Sequence, residues 1–164
     1  MPITTLDDLF VHTLRDILYA ERQILKALPK MARKAKSAKL KTAFETHHTE
    51  TEDQIQRLEQ IFEEIGQSAR GSKCDAIIGI IEEAEGQMEE IADEEVLDAA
   101  MLATAQAVEH YEMSRYGTLI AYAERLGYSK KLKSLLNDNL NEEKQADAKL
   151  SKLAETKINK KAAA

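Results

Sequence analysis

Tryptophan is absent from this chain, cysteine occurs once, proline twice and phenylalanine three times in 164 residues. With Cys74 alone, neither an intrachain disulfide nor a four-cysteine metal site is available. No apolar stretch approaches the roughly 20 residues needed to span a bilayer. The N-terminus "MPITTLDDLF" has no basic segment followed by an apolar run, so it does not read as a signal peptide. An excess of positive charge is also missing. The formal net charge is -6 and the pI is near 5.3, which argues against a nucleic-acid footprint. The expectation is a soluble protein of a reducing cytoplasm, with neither membrane nor nucleic acid as partner.

What is present points to helices. Two prolines and six glycines accompany 32% charged residues and abundant Ala, Leu, Glu and Lys, the composition of an all-α protein. A chain of this length is most simply one domain with a real core. Thr5 followed by Asp7 and Asp8 marks a first helix over about residues 5–36, which Pro29 bends after Leu28. A second runs from about Ser37 to Ile65, with Gly66 as its stop. The segment "GQSARGSK" is the clearest loop, and it leads into a shorter amphipathic helix over about 75–91. Asp93 caps a long helix over 94–126 that ends at Gly127, and Ser129 caps a last one reaching about Ile158. Residues 159–164, rich in Lys and Ala, are expected to fray, leaving a domain over 1–158. Short links make antiparallel hairpins of the first and last pairs of long helices. The roughly 27 residues between the second and third are long enough to run back along the bundle. One long crossover of this kind is the ferritin-like connectivity of a four-helix bundle; an irregular five-helix bundle is the alternative.

Each long helix interrupts its own apolar stripe with a metal-binding group. The first carries Leu14, Leu18, Glu21, Leu25 and Leu28 at spacings of four and three. The second places Glu45, His48, Glu52, Ile55, Leu58 and Phe62 on one side. The third carries Leu102, Ala105, Glu109, Glu112, Tyr116, Leu119, Ala123 and Leu126. The fourth has Leu132, Leu136, Asn139, Glu143, then Asp147 or Ala146, and Leu150. Glu21, Glu45, His48, Glu109 and Glu143 all fall near the middle of their helices, so a bundle brings them to one level. Buried together without counter-charge, four carboxylates would be prohibitive. Two divalent cations neutralise them. Glu45 and His48, three apart, share a helix face and serve one centre. Carboxylates with one or two imidazoles suit iron or manganese better than zinc or copper. His47 and His110 sit about 100° around their helices from His48 and Glu109 and are read as exposed or beside the ligands, and His12 as a surface residue. Tyr116, one turn from Glu112, is placed to hydrogen-bond a ligand carboxylate.

The segments "LRDILYAERQILKALPKMA", "FETHHTETEDQIQRLEQIF", "QAVEHYEMSRYGTLIAYA" and "LNEEKQADAKLSKLAE" follow one another in order. With them the chain resembles the YciF-like family of bacterial stress-associated proteins within the ferritin-like superfamily, over nearly its whole length. The resemblance implies a ferritin-like bundle, commonly dimeric, with a dinuclear site for two iron ions, or manganese or a mixture. Carried over by position, Glu21, Glu45, His48, Glu109 and Glu143 match the ferritin-like ligands. Glu112 is similar to an alternative glutamate ligand in rubrerythrins. The last helix departs from the pattern: its Glu-x-x-His needs histidine at 146, where this chain has Ala146, and Asp147 or Glu112 would complete the second metal's shell. Two functions follow. One is a redox-active di-iron protein that oxidises Fe(II) or consumes peroxide or oxygen, with a separate electron donor because no rubredoxin cysteines are present. The other is a non-enzymatic stress-induced interaction module whose metals are structural.

Overall fold

The computed structural model describes residues 2–164. Its elements are α1 (Leu6–Lys34), α2 (Ala38–Glu64), α3 (Asp75–Glu90), α4 (Glu94–Leu126) and α5 (Lys130–Leu153). A π-helical turn (Ala154–Ile158) and α6 (Asn159–Ala162) continue α5. The expected boundaries hold to within two residues except at the C-terminus. There the chain continues as helix instead of fraying, because Ile158 is buried and α6 packs on α4.

Local chemistry sets each start and stop. Thr5 and Asp8 form a reciprocal capping box at α1, satisfying two backbone donors that would otherwise be orphaned. Ser37, Asp93 and Ser129 cap α2, α4 and α5. Gly127, at φ 75°, closes α4 in a left-handed conformation that a residue with a Cβ resists. Pro29 lies inside α1 without ending it.

Around the bundle, α1 packs on α2 and α4, and α5 packs on the same two; α3 covers α1 and α4. Side-chain contacts at the ends fix the directions. Buried Asp98, in the first turns of α4, accepts from the backbone N–H groups of Lys36 (2.9 Å) and Ser37 (2.7 Å) at the α1–α2 turn. The starts of α2 and α4 therefore lie at the same end, which makes these helices parallel. At the opposite end the Tyr128 hydroxyl donates to Asp7, and the Ser129 hydroxyl donates to Glu64. This is the all-α bundle with one long crossover, α3 riding in it. The crossover loop is tied to α1 by the Ser72 N–H, which donates to the Arg15 carbonyl at 3.0 Å. Gly71 passes so close that a Cβ there would meet Tyr19 at 3.0 Å. No helix among the described residues is long and apolar enough to cross a membrane.

The hydrocarbon core fills both ends of the barrel. Phe10, Leu14 and Leu119 pack toward one end, and Leu28, Leu40 and Leu102 toward the other, all at most 4% exposed. Between the two ends the core turns polar.

Candidate metal centre

Five buried polar side chains meet at mid-bundle. Glu21 comes from α1, His47 from α2, Glu109 and Glu112 from α4, and Glu143 from α5. The side chains of Glu21, Glu112 and Glu143 have no exposure at all. One ligand atom from each of His47, Glu109, Glu112 and Glu143 can be chosen so that all four lie within 4.8 Å of one another. His47 Nε2 is 3.5 Å from Glu109 Oε1 and 4.0 Å from Glu112 Oε2, while Nδ1 is 3.8 Å from Glu50 Oε2 one turn along α2.

Burial governs the electrostatics of this group. Burial first, and then the charge of Glu143, pushes Glu21 up to about 8. Burial likewise pushes Glu109 up to about 7. Burial and neighbouring acids hold Glu112 and Glu143 well above the carboxylate range. Burial opposes charging of His47, but Glu50, Glu143 and Glu21 outweigh it and the imidazole is raised. Most of the buried polar atoms left without a hydrogen-bond partner among the described residues belong to this one group. They are Glu21 Oε2, Glu109 Oε2, both oxygens of Glu112 and Glu143, and both ring nitrogens of His47. An unpartnered buried polar atom destabilises by about 1–3 kcal/mol, more when it is charged. Four carboxylates carry the charge that two divalent cations cancel, and an oxygen-rich set with one imidazole suits iron or manganese. The residues present fit a metal ion.

The surroundings hold the group in place. The Tyr116 hydroxyl donates to Glu21 Oε1 and accepts from Asn139 Nδ2 at 3.0 Å. Asn139 Oδ1 in turn accepts from Arg57 (2.9 Å), whose guanidinium grips Glu142 at 2.7 and 2.8 Å. A chain of hydrogen bonds thus runs from a half-buried ion pair to a carboxylate of the centre, fixing its orientation.

Of the residues singled out in the sequence, Glu21, Glu109, Glu112 and Glu143 are brought together. Glu45, His48 and Asp147 are not. On α2 the buried stripe is Phe44, His47, Thr51, Gln54, Leu58, Ile61 and Phe62, one residue back from the expected line at its first turns. Phe44, 2% exposed, takes the inward position, which turns Glu45 out to solvent and leaves His48 half-buried beside Pro29 and Lys41. His47, expected outside the ligand set, is the imidazole of the centre, with Glu50 beside it. The same slip appears on α1, where Ile24 is buried in place of Leu25. On α5 the inward residue after Glu143 is Ala146; Asp147 leans toward α4, accepting from Gln106 Nε2 at 3.1 Å with His110 Nε2 at 3.2 Å. His12 and His110 are exposed as expected. His47 was within reach of the sequence, because steps of three and four back from Leu58 through Gln54 and Thr51 land on it.

The family described as Domain of unknown function (DUF892) matches residues 5–163. Protein YciF of Escherichia coli (strain K12) is 47% identical over 163 residues, covering 99% of this chain and 98% of that protein. The crystal structure of the E. coli stress protein YciF superposes with a TM-score of 0.91 at 45% identity, over 96% of this chain and 99% of that one. YcfI from Rhodopseudomonas palustris superposes with a TM-score of 0.88 at 54% identity, over 91% and 94% of the two chains.

Proposed function

The chain belongs to the DUF892 family of YciF-like stress proteins, and from that premise we propose that it is a ferritin-like dinuclear metal protein of the bacterial stress response. Its ligands would be Glu21, His47, Glu109, Glu112 and Glu143, with Glu50 available beside His47. Support comes above all from the cluster of buried, unpartnered carboxylate oxygens and imidazole nitrogens at mid-bundle, where a cation would take oxygens and one nitrogen of His47. When bound, a pair of redox metals supplies two electrons to a small oxidant such as peroxide or oxygen.

The chain's own residues do the rest. Tyr116 and Asn139 hold Glu21 in one rotamer. Glu112, with no exposure, keeps a carboxylate free of water and beside both Glu21 and Glu109. Ala146 leaves open the position where a second imidazole would stand, so the two metals would have unequal shells. Electrons for repeated turnover would come from a separate donor, and the working form would be a cytoplasmic homodimer.

Metal analysis tests the reading. Protein purified without chelator should carry about two iron or manganese atoms per chain, and Glu109→Ala should lose them. Absence of metal from both ends the proposal. Fe(II) oxidation or peroxide turnover above that of free iron assigns a redox role. Full occupancy without turnover assigns the metals a structural role in an interaction module.

A further inference from the structure

A cavity of about 450 Å³ opens beside the metal centre, toward the end of the bundle where α2 begins and α5 finishes. Its size falls within the range of roughly 300–1,000 Å³ usual for small-molecule sites. The walls are hydrocarbon: Leu28, Met31, Phe44, Val108 and Leu150 line it, with Ala43 among the smaller residues. Its polar end is His47, Glu50 and Glu109.

The rim carries a second signal. Five lysines line the cavity, and of these only Lys30 has an acidic partner, Glu85 at 3.0 Å. Lys39 on α2, Lys149 and Lys152 on α5 and Lys157 in the π-helical turn form no ion pair among the described residues. These four ammonium groups gather on neighbouring elements at one mouth, and that mouth attracts a negative group. The π-helical turn contributes directly, because it buries Ala154 and Ile158 while Thr156 and Lys157 face the cavity. Such turns recur at functional sites.

We propose that this cavity binds a medium-chain fatty carboxylate, its anionic head on the rim lysines and its alkyl chain along Phe44, Val108 and Leu150 toward the centre. Hydrocarbon walls select for methylene content, and unpaired ammonium groups at the mouth select for a negative head. No cation is needed for either contact, so the inference stands apart from the metal proposal.

The test is calorimetric titration of the full chain in chelator, below the micelle concentration of each probe. Dodecanoate should bind saturably at one per chain, hexanoate roughly 100-fold or more weaker because of its lost methylenes, and dodecyltrimethylammonium should show no saturable binding. The double change Lys149→Glu with Lys152→Glu should weaken dodecanoate at least roughly tenfold without changing the melting temperature, because both side chains are exposed. Ala43→Trp, which fills the cavity from a half-buried position, should abolish binding; the lysine variant keeps the test decisive if the tryptophan variant fails to fold. Absence of dodecanoate binding, equal binding of the cationic amphiphile, indifference to chain length, or an unchanged affinity in the lysine variant would each overturn the proposal.

Discussion

Asn139 on α5 donates to the hydroxyl of Tyr116 on α4 at 3.0 Å, and that hydroxyl donates onward to Glu21 on α1. Three helices are joined at one fully buried phenol. The phenol oxygen is the only partner of Glu21 Oε1 among the described hydrogen bonds, while Oε2 has none. Tyr116→Phe removes the donor and keeps the ring. It should destabilise the metal-free protein by about 1–3 kcal/mol, since Glu21 and Asn139 both lose a buried partner. Metal affinity should fall about 10–100-fold because an orienting contact to a ligand is gone. Chemical denaturation and metal titration of the same variant separate the two effects.

The placement of α2 yields a sharp discrimination between adjacent residues. His47 is 7% exposed and faces Glu109, whereas His48 is half-buried outside the centre and Glu45 is exposed. His47→Ala should lose bound metal; His48→Ala and Glu45→Ala should keep it, with stability changed by no more than about 0.5 kcal/mol for the exposed glutamate. Elemental analysis of the three purified variants decides. Retention of metal in His47→Ala, with loss in His48→Ala, would show that α2 sits one residue further round than described.

That comparison also shows where sequence reasoning reached and where it stopped. The stripe of α4 was legible from Leu102 to Ala123, because Leu102, Ala105, Glu109, Glu112, Tyr116, Leu119 and Ala123 recur at steps of three and four and are all buried. On α5 the same logic reached Asn139 and Glu143, and it left Asp147 and Ala146 undecided because one residue is 100° of rotation. Packing chose alanine, the smaller and apolar one. On α2 two lines compete: one passes through Ile55 and Glu52 to His48, the other through Gln54 and Thr51 to His47. The second is the more polar, so hydrophobic periodicity favours the wrong one. It is buried because Thr51 bonds the His47 carbonyl (2.8 Å) and Gln54 bonds Glu142 (3.1 Å). A stripe of polar residues carries no periodic apolar signal. Asp98 was invisible for a related reason: its partners are backbone N–H groups, which every residue but proline has.

Asp98 invites its own prediction. The carboxylate is 1% exposed and accepts two backbone N–H groups of the α1–α2 turn at 2.9 and 2.7 Å. It holds together the end of the bundle where α2 and α4 begin. Asp98→Ala leaves both donors buried and unpaired and should lower unfolding free energy by about 2–4 kcal/mol. Asp98→Asn keeps one acceptor oxygen and should lose about half as much. Equilibrium denaturation measures both, and hydrogen exchange should rise first at Lys36 and Ser37. Metal stoichiometry should stay at the wild-type value in both variants, because the turn lies at the bundle's end and the centre at its middle.

The protonation of the buried acids sets how stability responds to pH. In the metal-free protein Glu21 is pushed up to about 8 and Glu109 to about 7, with Glu112 and Glu143 raised further by burial and mutual repulsion. An unfolded glutamate titrates near 4.3. Between roughly pH 5 and 8 the unfolded chain has therefore released these protons while the folded chain retains them. Stability falls with rising pH wherever the folded state binds more protons. His47, also raised, acts in the same direction, since its favourable protonation in the fold is lost as pH climbs through its folded value. The melting temperature of chelated protein should accordingly drop steadily from pH 5.5 to 8. With saturating Mn(II) that fall should largely disappear, because the bound cation keeps these carboxylates ionised in the fold as they already are in the unfolded chain. Calorimetry at matched ionic strength, with and without metal, reads both slopes. A metal-free melting temperature that rises with pH would mean that these carboxylates already ionise in the fold, with neighbours other than a cation holding their charge.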